Sequence, residues 1–328
     1  MHSGLYNRAI LRIAIKPRGP LLIRAGHTAE ENSLPFEHNV ETPHGNSAAV
    51  PFIPGSSLKG VIRNHYERVA GSCGIRVCDL FSNSACGRET RADSSTSDTE
   101  GEFYASSLCA ACKVFGCDAS AGRFWVEDAM PSQQNPPTRQ LRATLPIDRL
   151  LGSGRSASAA DFEAVVGGEF ETRIILENFE LWQLGMIGIV LMDIDDGLVQ
   201  IGGLRSKGYG LVSLNFDSCE FFFAKPGLPT ERIYGVGSLV SEKQRGQFGY
   251  MTEDWLVLKL PSRSETGADQ GMAAAIKYDI ISDVFGLKYV VNSNEAVRSL
   301  FSMLLRNLLD YVSQQRTSAD RTAGKREE

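Results

Sequence analysis

Residues 51–63 read PFIPGSSLKGVIR, a stretch that joins the apolar end of a strand to a basic helix. Pro54 and Gly55 interrupt the strand, and the hydroxyl of Ser56 can cap the helix that follows. The amide groups of the first helical turn then point outward, where they predict an anion site. A capped helix with a solvated basic face is the simpler interpretation of the same pattern.

The helix after this turn has an apolar face and a basic face. Apolar residues recur at helical spacing, at Leu58, Ile62, Tyr66 and Val69. They predict a face that packs on the core, whereas Lys59 and Arg63 lie on another face. Basic residues beside exposed helix amides are typical of a phosphate cradle, and the other segments of the chain can be placed relative to it.

Length and composition limit the class of protein. The chain has 328 residues, a hydrophobic content of 42% and a formal net charge of −5. This charge argues against a protein that coats nucleic acid with its whole surface, although a local basic groove can still bind phosphates. No apolar run in the sequence approaches the roughly 20 residues that span a bilayer, and the first residues do not resemble a signal peptide. The sequence therefore predicts a cytoplasmic protein without a membrane partner.

The N-terminal half predicts strands, a long loop and a hairpin. Residues 9–15 alternate as in a strand, and the polar segment 25–46 predicts a loop over a rigid scaffold. Residues 122–128, GRFWVED, predict a further strand. Residues 145–154 end in a Gly/Ser/Ala-rich tip and residues 168–177 alternate, so together they predict an extended hairpin that projects from the body.

The C-terminal half contains a glycine-rich basic turn between two predicted elements. Residues 181–191 predict a buried helix, and residues 202–210, GGLRSKGYG, precede an alternating strand. Glycines in such a turn allow the backbone to approach a ligand closely. The apolar face of segment 294–315 predicts a helix capped by Ser293, and the polar residues 317–328 predict a disordered tail.

Cysteines are concentrated in one insertion. Six of the seven cysteines lie between residues 73 and 117, which favours a metal site over a disulfide framework. Four of them have the spacing of a closed, structural zinc site, namely Cys78, Cys86, Cys109 and Cys112. Cys73 could replace Cys78, and Cys117 is either a fifth candidate or a buried residue outside the site. Reduced structural cysteines without a metal are the alternative interpretation.

Signals for catalysis are weak in this sequence. No Gly-rich strand-to-helix loop matches a dinucleotide or Walker pattern, so nucleotide hydrolysis is not predicted. Carboxylates in segment 25–46 could bind Mg²⁺ beside a phosphate, but acidic loops commonly face water.

Four motifs occur in order along the chain. They are PFIPGSSLKGVIR at 51–63, LCAACKVFG at 108–116 followed by RFWVEDA, IDR at 147–149 and GGLRSKGYGLV at 202–212. In this combination the chain resembles the repeat-associated mysterious protein (RAMP) superfamily, and within it the backbone subunits of type III CRISPR effector complexes. Its cysteine insertion resembles that of the zinc-bearing subunits of the type III-D and III-E lineages. The resemblance covers residues 10–215.

The resemblance implies an α+β fold with a ferredoxin-like, RNA-recognition-like core. The implied division is a RAMP core at 1–217 with a cysteine-rich zinc insertion at 71–118 and a thumb hairpin at 129–177, a C-terminal extension at 218–292, a C-terminal helix at 293–316 and a disordered tail at 317–328. Copies or paralogues of such subunits stack into a filament along a guide RNA.

The resemblance also implies RNA-binding residues. Guide phosphates are expected at Ser56, Ser57, Lys59 and Arg63, at Arg149, and at the turn with Gly203, Arg205, Ser206 and Lys207. The residues at 56–63 and at 203–207 agree with the anion sites deduced from the residues themselves. The thumb, around residues 148–170, is expected to push between bases of the guide–target duplex at regular intervals. Base pairing then reads the sequence, and the protein reads backbone shape.

Catalysis by this subunit receives less support from the resemblance. Members that cut target RNA carry an aspartate before the IPGSS motif, where this chain has Ser33, and Glu31 or Glu37 could substitute with Mg²⁺. We therefore expect an architectural subunit that binds CRISPR guide RNA, complementary target RNA and neighbouring RAMP subunits. The alternatives are a Mg²⁺-dependent endoribonuclease that cleaves target RNA, and an end-of-filament subunit that binds a protein neighbour through its C-terminal extension.

Overall fold

A computed structural model of the protein describes residues 4–23, 37–41, 47–83, 85–86, 103–144, 147, 149–153, 160–258, 278–283 and 286–324. The strands within these residues are β1 (Asn7–Pro17), β2 (Glu37–Glu41), β3 (Ser47–Pro51), β4 (Phe124–Val126), β5 (Met130–Pro131), β6 (Thr138–Thr144), β7 (Ala160–Gly167), β8 (Phe170–Glu177), β9 (Val212–Phe223), β10 (Arg232–Tyr234), β11 (Trp255–Val257), β12 (Tyr278–Asp283) and β13 (Gly286–Asn292). The helices are α1 (Gly55–Ser72), α2 (Ala110–Phe115), α3 (Leu181–Asp195), α4 (Val236–Leu239), α5 (Glu242–Phe248) and α6 (Asn294–Gly324).

Strand β1 lies at the centre of an antiparallel sheet. In the described part of the chain this sheet has seven strands, in the order β12-β13-β9-β1-β8-β4, with β5 also paired to β8. Both neighbours of β1 pair with it along most of its length. Leu11, Ile13 and Ile15 of β1 are buried, because every second residue of a strand points to the same face of its sheet. The strand predicted at 9–15 is thus the central one.

Two helices pack on one face of this sheet. Helix α1 lies between β1 and β4 along the chain, and α3 lies between β8 and β9. Both helices meet the sheet around a small apolar cavity, whose lining includes Ile13, Ile15, Leu58, Ile62, Leu191 and Ile194. The chain order β1-α1-β4-β8-α3-β9 therefore forms a core of one sheet and two covering helices.

Helix α3 is buried on nearly all sides, as its apolar sequence predicts. Helix α6 packs closely on it, because a Cβ atom on Gly188 would lie only 2.7 Å from the ring of Phe301. At the other end of this contact the rings of Trp182 and Tyr311 stack, with centroids 3.8 Å apart. No helix in the described part of the chain combines the length and the apolar character needed to cross a membrane.

The C-terminal helix is longer than its sequence suggested. The hydroxyl of Ser293 accepts a hydrogen bond from the amide of Ala296 at 3.3 Å, so the predicted cap is confirmed. The helix continues to Gly324, whereas its polar sequence predicted a disordered tail at 317–328. The polar sequence of this segment lacks proline, and its alanines and arginine are compatible with a helix.

Two predicted loops and hairpins differ in extent. The segment 25–46, predicted as a loop, contains β2, which pairs with β3 in a short hairpin. The hairpin predicted over 129–177 is formed by β6 and β7, whereas β8 lies in the central sheet beside β1. Phe170, Ile174 and Leu176 of β8 are buried there, which explains the alternation that suggested a hairpin strand.

The C-terminal extension shares the central sheet. The boundary predicted between residues 217 and 218 falls inside β9, because β9 runs from Val212 to Phe223. Strand β13 pairs with β9, and β12 pairs with β13, so both enlarge the same sheet. Together with the packing of α6 on α3, this makes the extension part of the main core.

Candidate metal centre and nucleic-acid interface

Four cysteine thiols meet beside α1 and α2. The Sγ atoms of Cys78, Cys86, Cys109 and Cys112 all lie within 4.8 Å of one another. The Sγ atom of Cys78 lies 3.6 Å from those of both Cys109 and Cys112. Four thiolates in a tetrahedron around zinc, each about 2.3 Å from the ion, stand about 3.8 Å apart. The cluster has the dimensions to hold a metal ion, and its members are the four cysteines predicted from spacing.

The two other cysteines of the insertion lie outside this group in the described part of the chain. Cys73 is the residue at which α1 ends, and the backbone of Cys117 forms a turn with Ser120. The structure therefore supports neither the exchange of Cys78 for Cys73 nor a fifth thiol ligand at Cys117.

Backbone amides hold the thiols in place. Cys109 precedes the first turn of α2, and its Sγ accepts a hydrogen bond from the amide of Cys112 at 3.4 Å. The amide of Cys109 donates in turn to Sγ of Cys86 at 3.3 Å. Such donors orient sulfur ligands and stabilise their charge. The C-x2-C spacing thus places two thiols on one helical turn and ties a third to it.

The thiols differ in their affinity for protons. Hydrogen bonds from the thiol and the amide of Cys112 lower the pKa of Cys109 to about 4, against the opposing effect of burial. Burial raises the pKa of Cys86 to about 11. The pKa of Cys112 is raised, because its thiol donates to Cys109 and is itself buried. Four thiolates within 4.8 Å of one another would repel each other, and a bound metal cation would offset that repulsion.

Arg63 faces the cysteine cluster. Its Nη2 donates to Sγ of Cys112 at 3.5 Å, its Nη1 to the carbonyl of Gly116 at 2.9 Å, and its Nε to Glu67 at 2.8 Å. Its guanidinium also lies 5.9 Å from the ring centre of Phe115. Every guanidinium nitrogen has a partner within the protein. Arg63 therefore fixes α1 against α2, and the structure gives no support to its expected contact with a guide phosphate.

The start of α1 differs from the sequence prediction. The residue before the helix is Pro54, which has no polar side chain, so Ser56 is not the cap. The amide of Gly55 donates to Oδ1 of Asp128 at 2.7 Å, and a carboxylate at this position interacts favourably with the helix dipole. One amide of the predicted anion site is thus already bonded. Ser56 remains exposed and Ser57 is half-buried.

Lys59 lies on the next part of α1, in a different environment from Arg63. Leu58, Ile62 and Tyr66 are buried as predicted, together with Ala70, whereas Val69 is half-buried. Burial lowers the pKa of Lys59, and the charge of Arg63 lowers it further. No ion pair joins Lys59 to a residue that the structure describes. An anionic ligand would relieve this desolvated cation, so its environment suits phosphate binding.

The glycine-rich turn at residues 202–210 is open to solvent. Arg205, Ser206 and Lys207 form a 3-10 turn with exposed side chains. The backbone below them is fixed, because the amide of Gly203 donates to Leu22 at 2.8 Å and that of Gly210 to Pro20 at 2.9 Å. The turn therefore presents exposed cations on a defined backbone.

Glycine is required at the two ends of this turn. Gly202 and Gly210 have φ angles of 78° and 86°, in the left-handed region. A Cβ atom on Gly210 would overlap the carbonyl oxygen of Ile201, and one on Gly202 would overlap that of Leu22. Gly208 has a φ of 83° but faces open space.

The turn and α1 border the same part of the molecule. Ile201 at the base of the turn and Leu58 in the first part of α1 line the same apolar cavity. The base of the turn and the first part of α1 therefore pack around the same part of the core.

The hairpin of β6 and β7 ends in an apolar tip. Ile147, Leu150 and Leu151 are 73%, 96% and 79% exposed. Arg149 is exposed beside them, and Asp148 of the IDR motif lies outside the described residues. Neighbouring apolar side chains with this degree of exposure are typical of a contact site.

The catalytic candidates receive no geometry from the structure. Glu31 and Ser33 lie outside the described residues, and Glu37 is described only as the first backbone position of β2. Sequence reasoning also missed Asp128, which it treated only as the end of a strand. No local signal could have identified it, because its partner Gly55 is 73 residues away.

Comparison with known proteins identifies the family. The model of the RAMP superfamily matches residues 14–213, a span that contains α1, the cysteine cluster, the hairpin, α3 and the glycine-rich turn. No curated protein sequence matches the chain significantly. Since the matched span covers more than half of the chain, the protein belongs to the RAMP superfamily, which is associated with CRISPR complexes.

Proposed function

We propose that this protein is a guide-RNA-binding architectural subunit of a type III CRISPR ribonucleoprotein complex. In this role it holds the guide backbone and the guide–target duplex for antiviral RNA interference. The main observation in support is the glycine-rich turn, where Arg205, Ser206 and Lys207 are exposed on a fixed backbone in a member of the RAMP superfamily. Exposed cations on a rigid turn suit phosphates of any sequence.

The order of the elements supports a ferredoxin-like core. The chain order β1-α1-β4-β8-α3-β9 corresponds to the sheet order β9-β1-β8-β4, and each neighbouring pair is antiparallel. A β-α-β-β-α-β unit of this kind is the ferredoxin-like motif. In this proposal β12, β13 and α6 are additions to that motif that enlarge its sheet and cover α3.

The proposed RNA contacts are distributed over three places. Ser56, Ser57 and Lys59 of α1 and the glycine-rich turn bind successive guide phosphates. Arg149 binds a phosphate near the hairpin tip, whose exposed apolar side chains separate bases of the guide–target duplex. Arg63 is assigned a structural role instead, because its three guanidinium nitrogens bond Glu67, the carbonyl of Gly116 and Sγ of Cys112.

The proposed cofactor is a structural zinc ion at the cysteine cluster. Cys78, Cys86, Cys109 and Cys112 supply four sulfur ligands, which is the set of a closed site without an open position for substrate. When bound, zinc supplies the positive charge that lets four thiolates stand together. Arg63 links the cluster to α1, so the cluster supports the helix that presents Lys59. This agrees with the zinc-bearing type III subunits that the chain resembles.

Binding of RNA by the full chain tests the proposed function. The affinity for labelled RNAs of several mixed sequences is measured over a series of salt concentrations. We expect affinity to fall steeply with salt and to depend little on sequence. Lys207→Ala and Lys59→Ala should each weaken all RNAs by roughly three- to tenfold and reduce the slope of log affinity against log salt by about 0.7.

The matched control is Lys243→Ala. Lys243 is exposed on α5, whose Gln244 bonds to Tyr6 at the opposite end of β1 from the glycine-rich turn. Its replacement removes the same charge without touching the proposed interface. The interface is wrongly assigned if Lys207→Ala and Lys59→Ala bind RNA as tightly as Lys243→Ala does.

A cleavage assay separates the architectural role from the endonuclease alternative. The protein is assembled with guide RNA and its neighbouring subunits, and complementary RNA is added with Mg²⁺. We expect no cut opposite this subunit. A cut that is lost on Glu31→Ala or Glu37→Ala but retained on Ser33→Ala would instead make the subunit a nuclease.

A further inference from the structure

A basic residue outside the RNA-binding motifs lies beside the glycine-rich turn. Arg18 follows β1, and its amide donates to the carbonyl of Leu211 at 2.9 Å. Its Nη1 lies 4.0 Å from the position that a Cβ atom on Gly197 would occupy. The next residue, Gly19, would place a Cβ atom 3.9 Å from the carbonyl oxygen of Gly208 in the turn. Arg18 therefore stands between the end of α3 and the turn.

A buried carboxylate positions the guanidinium of Arg18. Its Nη2 lies 3.8 Å from Oδ1 of Asp195, in the last turn of α3. The side chain of Asp195 is only 8% exposed, and it accepts a hydrogen bond from the amide of Leu214 at 2.6 Å. Its closer ionic partner is Arg298 of α6. Arg18 is thus the outer of two arginines that share one carboxylate.

This arrangement leaves positive charge at the surface. Two guanidinium groups face one buried carboxylate, and the side chain of Arg18 is 48% exposed whereas that of Arg298 is 29% exposed. Asp196, the next residue after Asp195, is exposed, so water and salt screen its charge. The uncompensated charge therefore lies on Arg18, next to the turn that contains Arg205 and Lys207.

We infer that Arg18 binds a further phosphodiester group of the RNA, next to the one held by the glycine-rich turn, and that Asp195 and Arg298 position it. This inference rests on the proposed function. It adds a residue from the end of β1 to the RNA-binding surface. It also gives α6, which lies outside the span matched by the family, a positioning role through Arg298.

The test measures RNA affinity of Arg18→Gln in the full chain as a function of salt, with thermal unfolding measured in parallel. We expect binding weaker by roughly three- to tenfold and a slope reduced by about 0.7, because one phosphate contact is lost. Arg18→Lys retains the charge and should retain most of the slope. The matched control is Arg306→Gln, since Arg306 is exposed on α6 about two turns beyond Arg298.

The positioning role has its own readout. Arg298→Ala removes the closer partner of Asp195, which then draws Arg18 inward, so RNA affinity should fall while the salt slope changes less than in Arg18→Gln. An Arg298→Ala protein that binds RNA like Arg306→Gln overturns the positioning role.

The outcomes separate this inference from the proposed function. If Lys207→Ala is weakened but Arg18→Gln matches Arg306→Gln in affinity and slope, Arg18 does not bind RNA and the proposed function stands. If Lys207→Ala and Lys59→Ala are also unaffected, the RNA-binding interface of the proposed function is wrongly assigned as well.

Discussion

The cysteine cluster and the glycine-rich turn use polar groups in opposite ways. In the cluster the sulfur atoms accept hydrogen bonds from backbone amides, and every guanidinium nitrogen of Arg63 donates a hydrogen bond to another group of the protein. In the turn the backbone amides of Gly203 and Gly210 are bonded, but the charged side chains between them face solvent. Internally bonded groups stabilise a fold, whereas exposed cations on a fixed backbone are prepared for a ligand.

Helix α1 contains one residue of each kind. Lys59 and Arg63 are one helical turn apart and looked equivalent in the sequence. Arg63 is bonded to the cluster, and Lys59 has no ion pair among the described residues. We therefore infer the role of each cation from its bonds to the protein rather than from its position in a motif: a structural role for Arg63 and a ligand-binding role for Lys59.

The largest effect on stability is expected in the cysteine cluster, when Cys112 is replaced by serine. Removal of one thiol opens the four-sulfur site, and structural zinc contributes on the order of 10 kcal/mol in small zinc domains. Metal analysis should find about one zinc per wild-type chain and much less in Cys112→Ser, with a lower midpoint of thermal unfolding. Cys73→Ser is the control, because Cys73 lies outside the cluster. A wild-type chain that is folded and free of metal would refute the zinc site.

A smaller effect on stability is expected when a methyl group is added to a glycine of the glycine-rich turn. In Gly210→Ala the new methyl overlaps the carbonyl of Ile201, so the base of the turn must move. In Gly208→Ala the methyl meets open space, and only the left-handed φ opposes it, at about 1 kcal/mol. We expect Gly210→Ala to lose both stability and RNA affinity, and Gly208→Ala to keep most of both. Equal losses in the two variants would show that the backbone of the turn is not fixed.

Much of this contrast could be read from the sequence wherever it depends on local spacing. The apolar positions Leu58, Ile62 and Tyr66 predicted the buried face of α1, and the C-x2-C pair predicted two members of the cysteine cluster. The glycines at both ends of the basic turn likewise indicated an unusual backbone there. Such features are decided within a few residues along the chain.

The remaining features depend on residues that are distant in sequence. Asp128 accepts a hydrogen bond from the amide of Gly55, which is 73 residues away in the sequence. Asp195, Arg18 and Arg298 lie in three different segments of the chain, and both arginines face the carboxylate of Asp195. Strand β8 alternates as a hairpin strand also would, and only its pairing with β1 shows that its apolar face is buried in the core. Single-sequence patterns carry no information on such pairings, which is why they did not indicate the place of β8 in the central sheet or the bonds of Arg63 to Glu67, Gly116 and Cys112.

Separate replacement of Arg63 and Lys59 on α1 tests the comparison, with effects of intermediate size on stability and on RNA affinity. Arg63→Lys keeps the charge but loses the fork that bonds Glu67, Gly116 and Cys112, so we expect stability to fall by about 1–3 kcal/mol. Its RNA affinity, corrected for the folded fraction, should be unchanged. Lys59→Ala should show the reverse, with weaker RNA binding and unchanged unfolding. Weaker RNA binding by a stably folded Arg63→Lys protein would return Arg63 to the phosphate cradle.

The smallest expected effect is a pH dependence of RNA affinity that arises from Lys59. Burial and the charge of Arg63 lower the pKa of Lys59, so this lysine loses its proton at a lower pH than an ordinary lysine does. Phosphate binding requires the protonated form, and RNA affinity should therefore fall as the pH rises from neutrality toward that lowered pKa. Lys59→Arg stays charged throughout this range, so its RNA affinity should fall less. Both proteins are measured with the same RNA, so that titration of the RNA bases affects the two profiles equally. The part of this loss that is due to Lys59 cannot exceed the loss caused by Lys59→Ala. Parallel pH profiles for the wild type and Lys59→Arg would mean that Lys59 does not face the RNA. The proposed RNA contacts of the protein would then include the glycine-rich turn but not Lys59.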